Sequence, residues 1–139
     1  MFFSFENFVQ GYIDAMLWAN TYTEVDGELT NISEVPWGSE LDMSDLSEKN
    51  RAEAERECRE FLDYVSESDF QVEALIKAQD YYVGRSAYAG HDFALTRNGH
   101  GAGFWDRGLG MAGDVLTDAA KSFGEKNFYV DDALTVHAQ

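Results

Sequence analysis

Phe5, Phe8, Val9, Tyr12, Ile13, Met16 and Leu17 recur at steps of three and four residues, a stripe that only an α-helix turns to one side. The spacing predicts a helix over residues 4–19 with Ser4 as its cap. Seven large apolar side chains on one face need a partner layer, and the rest of the chain has to supply it. With 139 residues, 45% of them apolar, and 10 Phe, 7 Tyr and 3 Trp, there is material for one core of ordinary size. A single domain over 1–139 is therefore expected. Gln10 and Asp14 interrupt the apolar stretch and no basic run precedes it, so neither a signal peptide nor a membrane span is expected.

After this helix the period lapses. Over residues 21–41 an irregular acidic loop is the preferred reading, although Asp26-Gly27, lying between the short runs 22–25 and 28–32, permits a small hairpin. A second helix is expected over 45–65, with Asp45 as cap and Glu48 answering it, and Ala54, Cys58, Phe61, Leu62 and Val65 as its buried stripe. Phe70, Leu75 and Ile76 suggest a third helix after Ser68. The second half reads differently. Segments 92–97 and 100–106 flank Asn98-Gly99, a dipeptide suited to a two-residue hairpin turn. A helix at 115–123, capped by Asp114 and closed by Gly124, and two strands at 127–130 and 133–136 complete the expectation. The predicted class is α+β: N-terminal helices packed on a small, mostly antiparallel sheet with one late helix, in an acidic helical half (1–82) and a hairpin-helix-hairpin half (91–137).

Charge narrows the partners. The chain has 26 acidic against 10 basic residues, a formal charge of −16, which opposes direct binding to nucleic acid or anionic lipid and favours a basic protein. The acidity is local: residues 1–69 hold 17 acids against four bases, residues 70–139 nine against six. Glu24, Asp26 and Glu28 have no basic neighbour in sequence, and Glu53, Glu57, Glu60 and Glu67 share roughly one helical face. Together they form a candidate partner-binding face, either a replica of DNA phosphates or a seeker of basic patches. Plain solubility charge is the competing reading. A monomer is the default.

The predicted hairpin is the candidate ligand site. On that pairing Arg97 faces His100 and His91 faces Asp106, while Gly101 and Gly103 leave room beside Trp105, so guanidinium, imidazole and indole would suit an anionic or nucleotide ligand. Helix packing against the glycines explains the same residues structurally. His91 and Asp106 lack a third metal ligand, and Cys58 lies on a buried stripe, so no metal, cofactor or catalytic group is assigned. Residues 108–113 match G-x-G-x-x-G, but too little chain follows for a doubly wound sheet.

The run GHDFALTRNGHGAGFWD at 90–106 resembles the signature of a family of small acidic, uncharacterised bacteriophage proteins, and FVQGYIDAMLWA at 8–19 is similar to that family's opening helix. The likeness extends to 116–121, 123–125 and 129–132, with Ala94 standing where an aromatic is expected. The resemblance implies a phage accessory protein in the cytoplasm of an infected bacterium; the local acidity adds the expectation of a non-enzymatic protein that binds and inhibits a host or defence protein. The alternative expectation is a protein that binds or sequesters a nucleotide at the hairpin.

Overall fold

A computed structural model describes residues 3–131 and 134–138. The first helix, α1 (Phe5–Ala19), follows the predicted stripe, and the Ser4 hydroxyl accepts from the Asn7 amide. Strands β1 (Thr21–Val25) and β2 (Glu28–Asn31) come next. The expected loop is therefore a hairpin, because Asp26 and Gly27 both take positive φ (51° and 83°), the pair of left-handed residues that a tight turn between twisted strands requires. Three short 3-10 turns over residues 32–45 lead into α2 (Glu48–Tyr64). Its cap is Ser47, not Asp45, whose carboxylate instead accepts from the Asp42 amide one turn earlier. The expected stripe from Ala54 to Val65 is buried. Ser68 caps α3 (Asp69–Tyr81) as expected.

The next element overturns the hairpin expected at 92–106. Residues 86–97 form α4 (Ser86–Arg97), and Asn98-Gly99 ends it. Gly99 has φ +71°; its amide bonds to Thr96 O and the His100 amide to Leu95 O, the paired closure of a helix C-terminus in which one glycine turns the chain away. Helix period wins over strand alternation because Ala89, Gly90, Phe93 and Ala94 line one face, and that face lies on α1. The two helices cross at backbone distance: a Cβ on Gly11 would lie 1.7 Å from Ala87 O, and one on Gly90 1.9 Å from Phe8 O.

A 3-10 turn at 104–106 precedes α5 (Met111–Lys121). This helix starts at Gly110, so Asp114 lies inside its first turn rather than capping it, while Gly124 closes the segment at φ +75° as expected. The element leading directly into the glycines of 108–113 is this 3-10 turn, not a strand, and Gly113 lets α5 approach Phe104 O. Strands β3 (Phe128–Val130) and β4 (Val136–Ala138) end the chain's described part; of the strand expected at 133–136, residue 133 lies outside the described residues and Leu134 and Thr135 form a turn back onto Asp131, so the strand starts only at Val136. The sheet order is β2-β1-β3-β4, antiparallel at both edges and parallel between β1 and β3. The fold is α+β, with five helices on a small mixed sheet among the described residues, and the half expected as hairpin-helix-hairpin is in fact two helices followed by two strands. At its centre Phe93 lies 4.2 Å from Phe61 and 5.1 Å from Tyr12, ring centre to ring centre, and Phe8 and Phe104 extend the stack.

Candidate interaction surface

Loss of the hairpin scatters the residues assigned to it. Arg97 is 4% exposed, and four of its five N–H donors are engaged inside the protein. Its Nε donates to Gly124 O (2.8 Å), Nη1 to the Tyr12 hydroxyl (2.9 Å) and Glu57 Oε2 (2.7 Å), and Nη2 to Phe123 O (3.0 Å). The guanidinium thus ties α1, α2, α4 and the end of α5 together, and its burial keeps it from an external anion. His100 Nε2 donates to Asn20 Oδ1 at 2.6 Å, and Asn20 passes a bond on to Asn127 Oδ1 at 3.2 Å, a polar clasp between the end of α1 and the start of β3. Trp105 and Asp106 are exposed on the 3-10 turn. His91, six residues before Arg97, points from another face of α4 and stacks between Trp18 and Tyr88, at 6.3 Å from each. Burial holds its imidazole below the usual pKa.

Two further charges are drawn inward. Arg107 grips Asp92 through two bonds of 2.9 and 2.8 Å, and the Tyr82 hydroxyl donates to the same buried carboxylate. Burial and the Asp92 charge push the Tyr82 phenol far up. Lys126 bridges Glu53 and Glu57, and its hydrogen bond holds the Glu53 carboxyl below the ordinary range. Burial, reinforced by Glu57, pushes the Cys58 thiol well up, so this thiol is no nucleophile. Among the described residues no cluster of three or more His, Cys, Asp or Glu side chains is placed to hold a metal.

The acidic face expected on α2 is consequently interrupted. Glu57 is 7% exposed and belongs to the core, and Glu53 is tied to Lys126; Glu60 is exposed and pairs with Arg56 at 2.8 Å. Glu67 is exposed in the turn after α2, and Glu24, Asp26 and Glu28 crowd the exposed tip of the β1–β2 hairpin. Outside the pairs Arg97–Glu57, Arg107–Asp92 and Lys126–Glu53, 23 acidic side chains stand against 7 basic ones.

Trp18, one residue off the α1 stripe and, with Trp37, a candidate interface residue from the sequence, is 65% exposed. One feature went unread in the sequence. Between α3 and α5 lies an open groove of about 550 Å³, lined by Phe70, Ala74, Ile76, Met111, Ala112 and Val115 and rimmed by Glu73, Lys77 and Asp80. Its signal was available: α3 carries apolar residues on two faces, Leu75 and Ala78 inward, Phe70 and Ile76 outward, more than one core contact can cover. Comparison of the chain with protein-family models, with curated proteins and with solved structures finds no match. Among the described residues no helix is long and apolar enough to cross a membrane.

Proposed function

We propose that this is a non-enzymatic binding protein whose acidic exterior captures a basic protein partner. The observation that carries the reading is the retraction of Arg97, Arg107 and Lys126 into internal ion pairs, which spends the chain's few cations on holding its helices together. What remains outside is strongly one-signed, a surface that steers and holds a basic protein and repels nucleic acid. The likeness to small acidic phage proteins supports a setting in the cytoplasm of an infected bacterium, where stoichiometric capture of a host or defence protein amounts to inhibition. A replica of DNA phosphates along α2 has less support, because Glu57 faces inward and breaks the row. The acidic hairpin tip and the surface around Glu60 and Glu67 take its place.

The test is capture from bacterial lysate at low and high salt, with the quadruple variant Glu24→Lys, Glu28→Lys, Glu60→Lys, Glu67→Lys as comparison. All four side chains are exposed, so the fold survives the reversal. A basic protein retained at low salt, released at high salt and lost in the variant is expected. Capture indifferent to both salt and charge reversal refutes the reading.

A further inference from the structure

We infer that the α3–α5 groove receives an amphipathic helix of a partner protein, about three turns long, with apolar anchors on one face and lysine or arginine beside them; this rests on the basic-partner reading above and names its site. The groove carries exposed apolar bulk where a monomer has no use for it: Met111 is 67% exposed, Phe70 55% and Ile76 46%. Its floor is set by two buried alanines, Ala74 and Ala112, which lets an occupant come close to both helix backbones. From Phe70 to Asp80 the α3 wall spans ten residue steps, about 15 Å at a helical rise of 1.5 Å per residue.

Three arguments select the occupant. Both walls are helices with their backbone groups bonded internally, so the groove offers no strand edge, and the partner segment must satisfy its own backbone; a third helix laid into the trough between two does so. The rim favours positive charge: Glu73 and Asp80 flank Lys77, and Asp69, Asp114 and Asp118 are exposed on the same two helices, with Lys121 at the far end of α5. A second copy of this chain is disfavoured by the same charge, since each copy carries −16.

The probe is a 14-residue helical peptide built only of leucine on one face and lysine on the other, followed by fluorescence anisotropy and by amide shifts of the labelled protein. The diagnostic variant is Met111→Glu. It adds an acid to the first turn of α5, where the helix dipole favours it, so the fold is kept and net charge becomes more negative. The groove requires the peptide to bind wild type with shifts centred on α3 and α5, and to bind Met111→Glu at least about tenfold more weakly despite the added charge. Phe70→Glu, in the first turn of α3, behaves alike. Unchanged or tighter binding to Met111→Glu means attraction by charge alone and overturns the groove while leaving the basic-partner reading intact. No binding to wild type at low salt overturns that reading as well. Self-association of wild type that Met111→Glu abolishes puts a second copy in the groove and also overturns the proposal.

Discussion

Replacing Arg97 by methionine should destabilise the protein severely without touching its exterior. The side chain is 4% exposed, and its removal strands Glu57, also buried, beside Lys126 alone, and takes donors from Tyr12, Phe123 O and Gly124 O. Breaking a buried ion pair by deleting one partner costs about 3–5 kcal/mol. A domain of this size holds about 5–15 kcal/mol in all, so the loss takes from about a fifth of its stability to nearly all of it. In urea, with a slope of about 2 kcal/mol per molar, the midpoint falls by about 2 M. The double variant Arg97→Met, Glu57→Met should recover much of the loss, because apolar replacement of a whole buried pair is close to neutral. Urea unfolding of the wild type, both single variants and the double variant completes the cycle. A loss under about 1 kcal/mol for Arg97→Met, coupled with loss of partner binding, would refute the reasoning and return the guanidinium to the surface as a ligand group.

Two more predictions follow from the helix crossing and from the imidazole on its flank. Gly90→Ala gains about 1 kcal/mol of helix propensity but drives a methyl into Phe8 O, so thermal unfolding should show a net loss of about 1–3 kcal/mol, whereas Gly101→Ala, with open space around it, is the neutral control. Because the folded state holds the His91 pKa below the unfolded value of about 6.5, the folded protein binds fewer protons there, and stability attributable to His91 is present above that pH and lost as pH falls through it. An NMR titration placing the His91 pKa at or above 6.5, or a His91→Gln variant that loses stability on acidification just as the wild type does, contradicts this.

The amino-acid sequence alone determined the helices whose apolar stripe runs unbroken. α1 with its Ser4 cap, the buried side of α2 and the Ser68 start of α3 were legible because capping and a 3.6-residue period are local properties. It also determined the excess of acid. The two X-Gly dipeptides were another matter. Asp26-Gly27 and Asn98-Gly99 both supply a left-handed residue, and that requirement is shared by a tight hairpin turn and by a helix end. Which one forms depends on what the preceding residues pack against. The segment before Asp26 pairs with β3, more than a hundred residues away, and becomes a strand; the segment before Asn98 meets the glycine-lined face of α1 and becomes a helix. The same distant packing took Arg97 and Glu57 from the two candidate sites and joined them in the core, 40 residues apart in sequence. Local chemistry chose the residue types, and only long-range contact decided which of them met one another and which were left facing out.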